Sequence, residues 1–151
     1  MFDILVVCTA NICRSPASRV FLARYLKGKQ VHVDSAGTHA IDGNVADAMI
    51  QELMIERGFP EIAPHRSRAL MPHHLKDYQL ILCMEPAHLD YVCNTSAVAV
   101  GRSMLLGHWA AGRPVADPIG QTRETYSRSL NEMQEFCRQW AAKIIDMGML
   151  E

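Results

Sequence analysis

Between Ile4 and Pro16 the chain reads Ile-Leu-Val-Val-Cys-Thr-Ala-Asn-Ile-Cys-Arg-Ser-Pro, and this run constrains the fold more than any other. Its continuous apolar start reads as a strand buried on both faces, as parallel sheets require. The turn from Cys8 to Arg14 ends the strand. A helix then opens at Ser15-Pro16, with proline at the first position, where a missing N–H costs nothing. A strand that feeds a helix through such a turn gathers a thiol (Cys8), a guanidinium (Arg14) and free backbone N–H groups around one point. Such a point binds a tetrahedral oxyanion, and the thiol beside it can attack phosphorus.

Downstream, helical and strand patterns alternate, which predicts an α/β fold with a parallel sheet. The first strand is expected over Asp3 to Val7 and the first helix over Pro16 to Lys27, with Gly28 as its stop. Val31 to Ser35 alternates as a strand, and a loop follows from Ala36 to Gly43. Asn44 to Gly58 reads as a helix with Ala46, Met49, Ile50, Leu53 and Met54 on one face. Gln79 to Met84 is a buried central strand, between short helices over Met71 to Asp77 and Glu85 to Cys93. Ser103 to Leu106 is the fourth strand, and the Gly- and Pro-containing stretch His108 to Gln121 is loop. The last helix starts near Thr122. Tyr126, Leu130, Met133, Cys137, Trp140, Ile144 and Met147 form a stripe along it, which suits docking on the sheet or a coiled coil. The expected architecture is a small doubly wound four-stranded parallel sheet flanked by helices, one domain spanning residues 1–151. Ligands of such sheets bind at the carboxyl ends of strands, where Cys8 falls.

Composition removes several classes of function. The net charge of −1 leaves no basic stripe for nucleic acid. No apolar run approaches the ~20 residues that span a bilayer. Asp3 stands where a signal peptide would be basic, so a cytoplasmic location is expected. The cysteines are Cys8, Cys13, Cys83, Cys93 and Cys137, an odd number without a C-x-x-C pair. That argues against a disulfide framework and a structural zinc site. Among the histidines only His73 and His74 are adjacent, and they read as a surface helix start. No metal or cofactor is called for.

Spacing alone is a weak signal. With 11 arginines and five cysteines in 151 residues, an accidental Cys-x5-Arg has odds of roughly one in three. The strand before it and the helix after it give it meaning. A phosphate monoester is a dianion that repels nucleophiles, so a catalyst must supply up to ~10²¹-fold. Backbone N–H groups of Thr9 to Arg14 can converge on three phosphate oxygens, and Arg14 can add a planar fork of donors. Cysteines in such positive fields fall from ~8.5 to ~3.5–7.5, which would make Cys8 a thiolate that attacks in line. Ser15 can donate to the sulfur when it leaves. Asp117, in a Pro- and Gly-rich loop after the last strand, can reach the same sheet edge as a general acid worth ~10²–10⁴-fold. Asp117-Pro118 reads equally well as a plain turn.

The segment Val7 to Pro16 together with the late Asp117-Pro118 resembles the low-molecular-weight protein tyrosine phosphatases, over almost the whole chain. Asp34-Ser35-Ala36-Gly37, His65-Arg66-Ser67-Arg68 and Tyr78 to Met84 resemble further segments of that family. Leu105-Leu106-Gly107-His108-Trp109 is similar to bacterial members associated with exopolysaccharide and capsule export. The resemblance implies a phosphotyrosine phosphatase I-like fold and hydrolysis of protein phosphotyrosine. It implies Cys8 as nucleophile, Arg14 as phosphate binder and Asp117 as general acid and base. Thr9, Ala10, Asn11, Ile12, Cys13 and Ser15 would line the phosphate site, and Asn11, Ser15, Ser35 and His65 would form a buried polar network. Asn11 suits a left-handed turn position, whereas His65 alone would pass for an exposed loop histidine. Cys13 would form a reversible disulfide with Cys8 under oxidation, or else only pack beneath the loop. The implied partner is a phosphotyrosine protein, a bacterial tyrosine autokinase by analogy, with inorganic phosphate as product.

Three positions depart from the family pattern. Ala10 stands where glycine is usual, at a cost if positive φ or close approach to phosphate is needed. Ile119 replaces the usual tyrosine after Asp117-Pro118, and Ile41 holds the place of another pocket aromatic. Aliphatic walls select an aryl group less sharply than stacking aromatics, so weaker discrimination for phosphotyrosine, or another preferred phosphoester, is expected. Two other readings remain. A thioredoxin-coupled arsenate reductase would need Cys83 and Cys93 as an electron relay. A phosphoprotein-binding module would need Arg14 but not Cys8.

Overall fold

The computed structural model describes residues 1–148. Four parallel strands form one sheet: β1 (Phe2–Cys8), β2 (Val31–Gly37), β3 (Leu80–Cys83) and β4 (Ser103–Leu105), in the order β2-β1-β3-β4. Four α-helices connect and cover them: α1 (Arg14–Tyr25), α2 (Ala48–Glu56), α3 (Pro86–Thr95) and α4 (Arg123–Asp146). The expected four-stranded, doubly wound parallel architecture is therefore present.

Side-chain alternation along the strands divides the core into two layers. Ile4 and Val6 of β1 and Leu80 and Leu82 of β3 face α1, α2 and α4, where Phe21, Met54, Leu130 and Trp140 complete the larger cluster. Leu5, Val7, Ile81 and Cys83 point the other way and pack on Leu75, Tyr78 and Val92. With both faces covered, β1 and β3 can be apolar at nearly every position. The chain leaves β1 for β2 on one side and later returns to β3 on the other. Connections diverge on either side of the carboxyl end of β1, which opens a crevice there.

Element boundaries differ from expectation in ways that bear on the site. Helix α1 begins at Arg14, so Pro16 is its third residue and not its first. Helix α2 begins only at Ala48, because the Asp47 carboxylate caps the N–H groups of Met49 and Ile50. On α4, Tyr126, Leu130, Met133, Cys137, Trp140 and Ile144 are buried against the sheet layer, which settles the stripe as a docking face. Met147 departs from it: it follows the last helical residue and is exposed. Trp140 pins the helix by donating to the Leu106 carbonyl at 2.9 Å. His73 lies exposed and His74 half-buried in a 3-10 turn over Pro72–Asp77. Among the described residues no helix is long and apolar enough to cross a membrane.

Candidate active site

The segment between β1 and α1 turns its carbonyls outward and leaves its N–H groups free. Thr38 and His39 donate their N–H groups to the Cys8 and Thr9 carbonyls at 2.9 Å each. His65 Nε2 lies 2.7 Å from the Asn11 carbonyl, and Asp47 N–H donates to the Ile12 carbonyl at 2.7 Å. Among the described residues, the backbone N–H groups of Thr9, Ala10, Asn11, Ile12 and Cys13 have no protein acceptor. The first turn of a helix adds further free donors. A ring of unpaired N–H groups beside a helix N-terminus is an anion cradle.

Asn11 makes the turn possible. Its φ of 57° is left-handed, which asparagine tolerates better than most residues. Its side chain is fully buried and fully used. Nδ2 donates to Ser15 Oγ at 2.7 Å and to Ser35 Oγ at 2.9 Å, while Oδ1 accepts the Arg68 N–H at 2.9 Å. The network expected of Asn11, Ser15, Ser35 and His65 is thus brought together. Burial, the largest influence on His65, holds its pKa below the usual histidine range, so it sits as the neutral donor to Asn11. Ala10 has no positive φ, so its methyl carries no backbone strain at the place where the family favours glycine. Gly37, by contrast, cannot be replaced freely. A Cβ there would lie 2.4 Å from the Thr9 carbonyl and 3.0 Å from the Asn11 nitrogen.

Ser15 Oγ lies 2.9 Å from Cys8 Sγ. Because Ser15 Oγ already accepts from Asn11, its own hydrogen is available to the sulfur. Cys8 and Arg14 are both 3% exposed. The Arg14 guanidinium is held from behind: Nη1 donates to the Val115 carbonyl at 2.9 Å and forms an ion pair with Glu85. Both fixed contacts use Nη1, so Nε and Nη2 remain as a fork for an oxyanion. Val115 N–H in turn donates to the Met84 carbonyl at 2.9 Å, which ties the segment carrying Asp117 to the end of β3.

A small cleft is lined by Cys8, Ala10, Asn11, Ile12, Cys13, Arg14, Asp117 and Ile119. Asp117 is exposed at its edge, and its Oδ1 accepts the Ile119 N–H at 3.0 Å. The cleft therefore gathers residues from opposite ends of the sequence. Ile41 differs from expectation: it is 74% exposed and lies outside the lining. Burial and then the neighbouring Cys8 push the Cys13 thiol far up. Cys83 is buried in β3 and Cys93 lies on α3, and neither lines the cleft. Among the described residues no group of three His, Cys, Asp or Glu side chains is disposed to hold a metal ion.

Sequence reasoning missed Glu85, Val115 and His88. Val115 acts through its carbonyl, which any residue carries. Glu85 lies two residues past the end of β3, at the same sheet edge as Cys8, and nothing in its sequence neighbourhood marks it out.

Comparisons with known proteins agree with this geometry. Residues 3–147 match the family described as low molecular weight phosphotyrosine protein phosphatase. The low molecular weight protein-tyrosine-phosphatase Wzb of Escherichia coli K12 is 34% identical, over 92% of each chain. The structure of Vibrio vulnificus Wzb in complex with benzylphosphonate superposes with a TM-score of 0.88 at 33% identity, over 94% of this chain and 98% of that one. The YwlE arginine phosphatase from Geobacillus stearothermophilus superposes with a TM-score of 0.90 at 28% identity, over 99% and 96% of the two chains. The chain belongs to the low molecular weight phosphotyrosine protein phosphatase family.

Proposed function

We propose that this chain is a single-domain phosphatase that hydrolyses phosphotyrosine in proteins through a phosphocysteine intermediate. The observation that carries this reading is the placement of Cys8 Sγ, 2.9 Å from a Ser15 hydroxyl, in a cleft shared with Arg14 and Asp117. The phosphate dianion sits on the free N–H groups of Thr9 to Cys13, with the Nε and Nη2 fork of Arg14 on two of its oxygens. These donors are fixed before substrate arrives, so they stabilise charge in the transition state without reorganising. Cys8 Sγ attacks phosphorus as the phenolic oxygen departs, and Asp117 gives that oxygen its proton. Asp117, now ionised, takes a proton from the water that attacks phosphocysteine. The S–P bond breaks, Ser15 donates to the departing sulfur, and inorganic phosphate is released.

Ile12 and Ile119 make an aliphatic wall for the group beyond the phosphate. They exclude water but offer no ring to stack on, so selectivity for aryl esters is weaker than with an aromatic wall. The likeness to an arginine phosphatase makes phosphoarginine the second substrate to assay. Ile41, exposed outside the cleft, could contribute only through contact with a bound protein. By the resemblance of Leu105 to Trp109 to exopolysaccharide-export members of the family, the proposed partner is a tyrosine-phosphorylated autokinase met in the cytoplasm. Cys13 protects the nucleophile: once peroxide has oxidised Cys8 to a sulfenic acid, the Cys13 sulfur attacks it, water leaves and a disulfide forms. Held protonated by burial, Cys13 does not compete with Cys8 for phosphate.

The arsenate reductase reading has no relay in the cleft to support it. A screen of the purified protein against phosphotyrosine peptides, phosphoserine peptides, phosphoarginine and arsenate tests the assignment. Phosphotyrosine turnover that is lost in Cys8→Ser, with phosphate binding retained, is the expected result. Unchanged biological activity in Cys8→Ser would favour a binding module instead.

A further inference from the structure

The first turn of α3 grips the cysteine loop at both ends. At one end Glu85, the residue before the helix, pairs with Arg14. At the other, His88 meets Thr9, the residue after the nucleophile, with Nε2 2.8 Å from Thr9 Oγ1. His88 is only 4% exposed, and its other ring nitrogen, Nδ1, accepts the Glu85 backbone N–H at 3.1 Å. A backbone N–H can only donate, so Nδ1 is bare and the ring proton resides on Nε2, which donates to Thr9. We propose that His88 is a positioning residue for the phosphate-binding loop: as the neutral Nε2–H tautomer it fastens Thr9 to the same helix turn that holds Arg14 through Glu85.

This inference rests on the phosphatase reading and adds to it a part that composition and spacing leave invisible. Thr9 is itself exposed, and among the described residues its hydroxyl has no other hydrogen-bond partner. Its bond to His88 links the loop to α3 on the side away from the Asn11 network. The loop is then held from three directions: by Asn11 toward β2, by Arg14 toward Val115 and Glu85, and by Thr9 toward His88. Catalytic geometry is sensitive to such supports, because small displacements of fixed donors cost rate and not only binding.

Protonation undoes the arrangement. An imidazolium donates from both nitrogens, so a proton on Nδ1 would face the Glu85 N–H, donor against donor. The groups facing His88 come from four segments. Arg14 on α1 and His39 after β2 oppose a positive charge, whereas Glu85 on its own turn and Asp117 before α4 favour one. Burial is the largest influence and opposes the charge. The neutral ring therefore prevails at neutral pH, and acid releases Thr9.

Long-range ¹H–¹⁵N spectra of the full chain, with a kinetic double-mutant cycle of His88→Gln and Thr9→Val, test the proposal. At pH 7 the His88 ring should show a protonated Nε2 and a bare Nδ1. Each single variant should lower kcat for an aryl phosphate about tenfold, the size of one net hydrogen bond written as a rate factor. The double variant should be no slower than the slower single one. The gap between wild type and His88→Gln should close on acidification to below the usual histidine range, since burial holds this ring's pKa under it. A proton on Nδ1, additive losses, or a gap that does not change with pH would each overturn it. Thr9→Val, at an exposed position, keeps the test valid if His88→Gln fails to fold. Vanadate affinity carries the same cycle without turnover, and there too non-additive losses support the contact and additive losses refute it. An inactive wild type would refute the phosphatase reading alone.

Discussion

Replacing Asn11 should separate the backbone and side-chain contributions to the loop. Asn11→Ala removes three side-chain hydrogen bonds, to Ser15, Ser35 and the Arg68 N–H, each worth about 1 kcal/mol net in a folded protein. It also leaves a residue with a Cβ at φ 57°, which costs roughly 1 kcal/mol more than asparagine there. The sum is about 4 kcal/mol, a large loss against a stability of roughly 5–15 kcal/mol. Asn11→Gly loses the same bonds without the left-handed penalty, so it should be about 1 kcal/mol less destabilised than the alanine variant. Urea denaturation of wild type and both variants gives these differences directly. Turnover should fall in both, because Ser15 loses the donor that orients its hydroxyl toward Cys8. A loss below about 1 kcal/mol in Asn11→Ala would refute the reasoning. So would a glycine variant less stable than the alanine one.

Other outcomes follow from the same geometry. Asp117→Asn should slow the first step, release of the leaving group in a single turnover, about 10²–10⁴-fold for esters with poor leaving groups and far less for p-nitrophenyl phosphate; equal losses in that step across leaving groups would remove Asp117 from protonation of the leaving oxygen. Gly37→Ala should lower both thermal stability and activity, because its Cβ would overlap the Thr9 carbonyl at 2.4 Å; wild-type kinetics in that variant would contradict the described loop. His65, with its pKa lowered mainly by burial, binds a proton more readily when unfolded. Its contribution to stability is therefore complete above about pH 6.5 and is lost as pH falls through the lower folded value. His65→Gln should flatten the acid decline in urea-measured stability, partly and not wholly, since His88 is shifted the same way; an unchanged slope would refute it.

What was legible in the sequence was what local pattern encodes. The apolar run before Cys8, the stripe on α4 and the polar turn between them carry period and punctuation, and they led to the sheet, the docked helix and the position of the nucleophile. Boundaries were less legible where a side chain decided them. Asp47 caps α2 from within a segment that reads as continuous helix, and Pro16 tolerates the third helical position as well as the first. The placement of Asp117 in the same cleft as Cys8 was half legible from its Pro- and Gly-rich loop, which reads equally well as a plain turn, and the family resemblance singled it out, because proximity across 109 positions leaves no periodic trace. The Thr9–His88 and Arg14–Glu85 contacts were invisible for the same reason, and neither Glu85 nor His88 has a distinguishing neighbourhood in sequence. Ile41 was read into the pocket as holding the place of a family aromatic in the loop after Ser35, and the loop turns it to solvent.

The central claim is that Cys8 carries the phosphoryl group between substrate and water. In Asp117→Ala, p-nitrophenyl phosphate should still phosphorylate the enzyme, because its leaving group needs no proton, while the second step lacks its base. Mixing that variant with substrate, quenching in alkaline denaturant and mapping the peptides by mass should place one phosphoryl group on Cys8 in nearly every molecule. Phosphate on any other residue would contradict the account, as would steady release of p-nitrophenol with no phosphorylated Cys8 at any time after mixing.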